Sequence, residues 1–318
     1  MTTRAASVSL LLLAACTDSS STSELVVRDA ALGAGAPVVL GVNQGAVYWS
    51  VGVGGTRQAA GSSLATLPAE GRLLGAAAGP LVMAGDHLLL ATADSIVRTD
   101  LAAQPRTIVK ASAQALGQAP GVSGMVAWST GPMITWGELE APVLATLPKV
   151  ERCDHMLITS ASLYVAGDST SERRLMRIDR ASHLVLPRTD SKSYGAAFPG
   201  GAQDGATYRG RIVGAAADAA YWLVEELPAG KTASTRAILV SVPDVGMPSV
   251  VLEHIGAVST FFVTDDAFYW QEDDALLTAP RAGGSATIAA QLPGRAGAVA
   301  DGFVYYATGT TIERLALD

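Results

Sequence analysis

A short apolar strand centred on aromatic residues returns seven times along this chain, and it restricts the possible folds more than any other feature. It reads AVYWSV around Tyr48 and Trp49, HLLLAT around Leu89, MVAWST around Trp128 and SLYVAG around Tyr164. It then reads AAYWLV around Tyr221 and Trp222, AFYWQE around Tyr269 and Trp270, and FVYYAT around Tyr305 and Tyr306. Taking Tyr48, Leu89, Ala127, Tyr164, Tyr221, Tyr269 and Tyr305 as equivalent, the steps are 41, 38, 37, 57, 48 and 36 residues. A unit of about 40 residues holding several strands cannot bury its apolar face alone, so neighbouring units must stack.

Each unit reads as four strands. The first is short and apolar, as in Pro37 to Val42. A tight turn follows at residues that tolerate positive φ: Asn43-Gln44-Gly45, Gly85-Asp86, Asp218, Asp265-Asp266 or Asp301-Gly302. The second strand is the aromatic motif. The third often ends near proline, as at Pro68, Pro243 and Pro280, and the fourth is a weaker apolar run such as Thr107 to Val109 or Thr287 to Ala289. The last unit stops after its third strand, whereas Ser23 to Arg28 is a spare strand before the first unit. The pattern predicts an all-β fold, a β-propeller of seven four-stranded blades over residues 24–318. The N-terminal strand is expected to close the last blade and remove its open edge.

The chain has 318 residues, 49% of them hydrophobic and only 16% charged, which is enough apolar material for a large core. Its net charge of −7 and pI near 5.1 argue against nucleic acid as a partner, because few phosphates could be neutralised. The same surface suits a monomer that stays soluble by charge.

The N-terminus reads as an address. Arg4 supplies a positive charge, and Ala5 to Ala15 form an apolar stretch too short to span a bilayer. The stretch ends in Leu13-Ala14-Ala15-Cys16, which resembles the bacterial lipobox. The resemblance implies cleavage after residue 15 and lipidation of Cys16, with membrane anchoring through at least two acyl chains. Residues 16–23 would then be a polar tether, and the domain would sit in the cell envelope. With Cys16 acylated, Cys153 has no partner for a disulfide.

The aromatic motif resembles the YWTD-type propeller repeat in its Tyr-Trp pairs at Tyr48-Trp49, Tyr221-Trp222 and Tyr269-Trp270. No copy carries the following Thr-Asp, so the likeness is to a repeat style. Packing between adjacent blades accounts for these aromatics better than ligand stacking does.

No phosphate loop, GxSxG, HExxH or CxxC motif is present. Cys153-Asp154-His155 is the densest reactive cluster, and on a regular strand Cys153 and His155 would share a face. Glu272-Asp273-Asp274 offers oxygen ligands but lacks the spacing of a calcium loop. No catalytic residue, metal ligand or cofactor is assigned, and calcium or another metal in the central channel stays open.

The repeat breaks its spacing at Leu186 to Gly210 and again at Glu225 to Lys231. Strand parity puts both expansions on one face of neighbouring blades, and loops on a rigid scaffold are where recognition resides. Tyr194, Tyr208, Arg209, Arg211, Glu225, Glu226 and Lys231 are the candidate binding face. The pattern points to an anchored module that binds a protein or glycan. The alternative is an envelope hydrolase, lactonase or lyase with its site at the channel mouth.

Overall fold

The structure, a computed structural model, describes residues 22–33, 35–84, 87–102, 104–119, 124–131, 133–138, 141–146, 152–168, 173–216 and 219–317. Cys16 with the signal segment, the Gly85-Asp86 turn and Asp218 lie outside them. Strand β1 (Glu24–Val27) precedes the first complete unit, β2 (Pro37–Asn43), β3 (Ala46–Val53), β4 (Thr56–Ser63) and β5 (Arg72–Ala77). The second unit is β6 (Leu81–Ala84), β7 (His87–Ala91), β8 (Ile96–Thr99) and β9 (Arg106–Val109). The third is β10 (Ala115–Gln118), β11 (Met125–Thr130), β12 (Met133–Glu138) and β13 (Ala141–Thr146). The fourth is β14 (Arg152–Ile158), β15 (Ser162–Asp168), β16 (Arg173–Asp179) and β17 (Val185–Asp190). The fifth is β18 (Thr207–Ala216), β19 (Ala219–Leu227), β20 (Arg236–Pro243) and β21 (Ser249–Ile255). Then come β22 (Thr260–Val263), β23 (Ala267–Glu272), β24 (Ala275–Pro280) and β25 (Thr287–Gln291). The chain closes with β26 (Arg295–Ala300), β27 (Phe303–Thr308) and β28 (Thr311–Ala316).

The first strands stand side by side from β2 through β6, β10, β14, β18 and β22 to β26, and β26 returns against β2. This closed ring is the expected all-β propeller arrangement. Each aromatic anchor falls in the second strand of its unit.

The repeat count predicts seven separate four-stranded blades. The structure has five four-stranded sheets and one eight-stranded sheet, ordered β13-β12-β11-β10-β14-β15-β16-β17. The join is a parallel pairing of first strands, Gly117 with Met156 and Gln118 with Leu157. Within the third unit β10 also lies close to β11: a Cβ on Gly117 would stand 2.8 Å from that of Ala127, which replaces the usual aromatic in this repeat.

The spare N-terminal strand pairs antiparallel with β28, Glu24 opposite Arg314 and Val27 opposite Ile312. Val26 and Val27 are fully buried there, and Arg314 donates from Nε to Glu24 at 2.7 Å. Trp49 Nε1 donates to Ala30 O at 2.8 Å, tying the segment to the first unit as well.

Each four-stranded unit is antiparallel within itself, so connections alternate between two faces. Second-to-third turns, and links from a fourth strand to the next first strand, share what we call the upper face. First-to-second turns and third-to-fourth loops share the lower face.

The core lies between sheets. On β19, Ala220, Trp222 and Val224 pack with Leu157, Tyr164 and Leu175 of the preceding unit. Tyr221 and Leu223 point the other way, to Phe261, Phe268 and Trp270 of the following one. Alternation along one strand thus feeds two interfaces. Burying a large apolar side chain contributes about 1.5–3 kcal/mol, so these aromatics carry much of the stability.

Candidate functional site at the upper channel mouth

The expanded connection between β17 and β18 is built around a buried carboxylate. Glu226, fully buried near the end of β19, lies directly across from Tyr208 on β18 and Arg236 on β20. Tyr208 donates its hydroxyl to Glu226 Oε1 at 3.1 Å, Gln203 N donates to the same oxygen at 3.3 Å, and Arg236 Nε pairs with Oε2. Arg236 also donates to Pro199 O and, at 2.8 Å, to Gly201 O, while its guanidinium lies 5.1 Å from the centre of the Phe198 ring. One ion pair therefore holds three points of the loop. The Arg236 guanidinium keeps the Glu226 carboxyl below its usual range, while burial, and after it the hydrogen bond and charge of Glu226, raises Tyr208.

The N-terminal half of the connection is a 3-10 helix, Lys192–Ala197. Asp190 starts it by accepting from Ser193 N at 2.8 Å and Ser193 Oγ at 2.6 Å. Ser191 Oγ donates to Tyr208 O at 2.8 Å, and Thr189 Oγ1 lies 3.1 Å from Tyr194 OH. Gly195 sits against the Tyr208 ring, where a Cβ would come within 2.9 Å of the hydroxyl.

The opposite side of the same strands carries a second cluster. Glu225, only 2% exposed, takes Arg209 Nε at 3.1 Å and lies 3.5 Å from Arg211 Nε. Arg209 and Arg211, two residues apart on β18, share this side. Burial lowers the basicity of Arg211, and repulsion from Arg209 and from Arg295 on β26 lowers it further, against the pull of Glu225. His155 on β14 is exposed, and its basicity falls through partial desolvation and the charges of Arg173 and Arg211. Arg211 stands on β18, one of the first strands that line the ring, within electrostatic range of His155 on β14 and Arg295 on β26. Two arginines meet one buried carboxylate here, with Arg295 and His155 within electrostatic range of Arg211, on a chain whose net charge is −7.

The candidate residues therefore fall into separate places. Tyr194, Tyr208 and Glu226 hold the loop from within. Arg209, Arg211 and Glu225 form the channel-mouth cluster. Lys231 is exposed in the β19–β20 connection, where its backbone N donates to Pro228 O at 2.9 Å. Arg236 and Arg295 are additions that sequence reading missed, and His155 was singled out there only beside Cys153. Arg236 opens an apolar run that pairs with the strand holding Glu225 and Glu226, and that placement was the available signal.

Cys153 and His155 do not share a face. A bulge at Asp154 shifts the register, leaving Cys153 buried in the core and His155 exposed. Burial pushes the Cys153 thiol up to about 12, so it is a poor nucleophile. Glu272 Oε1 accepts from Trp270 Nε1 at 2.7 Å and Gly256 N at 2.8 Å, and Asp273 takes the positive φ of the turn. Among the described residues no three His, Cys, Asp or Glu side chains gather as a metal site, and no helix is long and apolar enough to cross a membrane.

No protein-family model matches this chain, and no curated protein matches it. Solved structures do. An oligogalacturonate lyase in complex with manganese is similar with a TM-score of 0.57 at 10% identity, covering 86% of each chain. The WD40 domain of Toxoplasma gondii coronin gives 0.55 at 12% identity, over 92% of this chain and 83% of that one. BamB from Moraxella catarrhalis gives 0.50 at 14% identity, over 88% and 85%. At such identities the likeness is one of fold. The chain is a β-propeller, and what it binds has to be argued from its own side chains.

Proposed function

We propose that this protein is a lipid-anchored binding or scaffolding module of the cell envelope, and that the mouth of its upper channel receives an anionic group of a protein or glycan partner. In this reading the eight-stranded sheet counts as two blades joined at their first strands, giving seven blades in the ring. One observation carries the reading: Arg209 and Arg211 converge on a single buried carboxylate, and their terminal guanidinium nitrogens have no partner among the described residues. Guanidinium groups suit carboxylate, sulfate or phosphate recognition, because two parallel hydrogen bonds fix the anion's orientation. The pinned loop from Ser191 to Ala206 leads into β18 on the other side of that strand and supplies further contact surface on the upper face. Anchoring at Cys16 follows from the lipobox resemblance, and would hold the module at the membrane surface.

The test is retention by immobilised polyanions, an acidic glycan and a poly-glutamate chain, with the double variant Arg209→Gln/Arg211→Gln beside the wild type. Loss of at least tenfold in affinity, with Arg57→Gln on the first unit unchanged, is the expected result. Equal retention of the double variant would remove the channel mouth from the function.

A further inference from the structure

The chain enters the domain from one particular face. β1 runs opposite to β28, with Glu24 against Arg314 and Val27 against Ile312. β28 begins at the upper face, just after the second-to-third turn at Gly309 and Thr310, so Glu24 lies toward the lower face. Residue 22, where the described chain begins, is therefore on the lower side. Only six steps separate Cys16 from Thr22, and an extended chain of that length reaches about 20 Å. The long strands β18 and β19 are about 30 Å deep at roughly 3.3 Å per residue. A lipid on Cys16 would thus keep the lower face close to the bilayer, and the upper face would be out of its reach.

The lower face also carries the most exposed large apolar side chains among the described residues, Val245 at 89% and Met247 at 85%, in the loop between β20 and β21. Leu184, 60% exposed, stands in the corresponding loop of the preceding unit. The stem of the Val245–Met247 loop is pinned. Asp244 Oδ1 accepts from Tyr164 OH at 2.6 Å and Ser162 Oγ at 3.0 Å, with Arg177 Nε at 3.2 Å. Arg188 donates to Pro243 O at 2.9 Å and to Gly246 O at 2.7 Å. A buried polar network holds the base while the apolar tips are presented to solvent. An isolated exposed apolar residue needs no explanation, but two on one fixed tip, with a third in the corresponding loop of the neighbouring unit on the same face, call for one.

We propose that the lower face docks on the bilayer that anchors the chain, with Val245 and Met247 entering its interfacial layer and the upper channel mouth turned away from the membrane. The inference rests on the reading of Cys16 as the lipidated residue. Apolar side chains settle at the headgroup boundary in this way when another attachment already holds a protein there.

The experiment uses the full lipidated chain in phosphatidylethanolamine–phosphatidylglycerol vesicles. A polarity-sensitive dye is attached through Met247→Cys on the lower face or Lys231→Cys on the upper face. Cys153 is buried and Cys16 acylated, so only the introduced thiol reacts. Lipids brominated near the headgroup should quench the dye at position 247 at least twofold and leave that at 231 unchanged. A lipidated, vesicle-bound chain whose dye at 247 stays unquenched, or whose dye at 231 is quenched instead, overturns the docking alone. An N-terminal mass without lipid overturns the anchor, and the docking with it.

Discussion

Glu226 is the residue on which the insertion depends. Its carboxylate is fully buried and faces Arg236, Tyr208 and the amide of Gln203 at once. Glu226→Gln removes the charge and leaves the Arg236 guanidinium without its anion, so a loss of about 2–3 kcal/mol is expected, read as a lower urea midpoint. The pH dependence follows from the depressed folded-state pKa. The unfolded carboxyl titrates near 4.5, so the stabilisation is complete above that value and fades as pH falls through the lower folded value. Wild type and variant should differ most near pH 7 and converge below pH 4. A gap that stays constant from pH 7 to pH 3 would show that charge is not what Glu226 contributes. Both acidic residues were visible as a pair, but the sequence placed them in the connection after the fifth aromatic strand, whereas they end that strand, and their separation was not visible. Alternation sends Glu225 to the side of the following unit and Glu226 to the side of the loop and the preceding unit, so one dipeptide serves two sites. The same rule fails at Cys153-Asp154-His155, because a bulge adds a residue that no local pattern announces.

Among the elements, the closing strand was the most legible. A spare apolar strand at one end and a missing fourth strand at the other have a single economical solution, and β1 pairs with β28 accordingly. Its interior face is fully buried at Val26 and Val27, within a cluster that includes Trp49 and Tyr305. Val27→Asp puts a carboxylate into that cluster with no cation to meet it, at a cost of roughly 3–5 kcal/mol. The thermal midpoint should drop by about 5–8 °C, whereas Glu24→Gln at the exposed rim should shift it by about 2 °C at most. Equal small shifts for both would mean that the strand does not seal the ring. The fusion of the third and fourth units was not legible. Periodicity locates strands, but whether two first strands approach closely enough to exchange hydrogen bonds, as Gly117 and Met156 do, is decided between units, where the repeat itself shows nothing.

For the molecule as a whole, the charge of −7 opposes the ligand that its channel mouth is proposed to receive. The two effects act over different ranges. Arg209, Arg211 and Arg295 act on a group in direct contact, whereas the acidic surface acts at a distance. Salt separates them, since the Debye length is about 30 Å at 0.01 M and about 8 Å at 0.15 M. At low salt a bound polyanion feels repulsion from most of the surface together with attraction at the mouth. At moderate salt the distant repulsion is screened while the contacts, partly shielded from solvent, persist. Affinity for a short acidic glycan should therefore change little, or rise, between 0.01 and 0.15 M salt, and fall only toward 1 M. A basic protein behaves otherwise, losing affinity steadily as counterions compete. Titration calorimetry at these three concentrations distinguishes the two. A steep monotonic fall from the lowest salt would indicate a dispersed cationic surface instead of a single mouth. The Arg209→Gln/Arg211→Gln variant should retain the repulsion without the attraction, and bind least at 0.01 M.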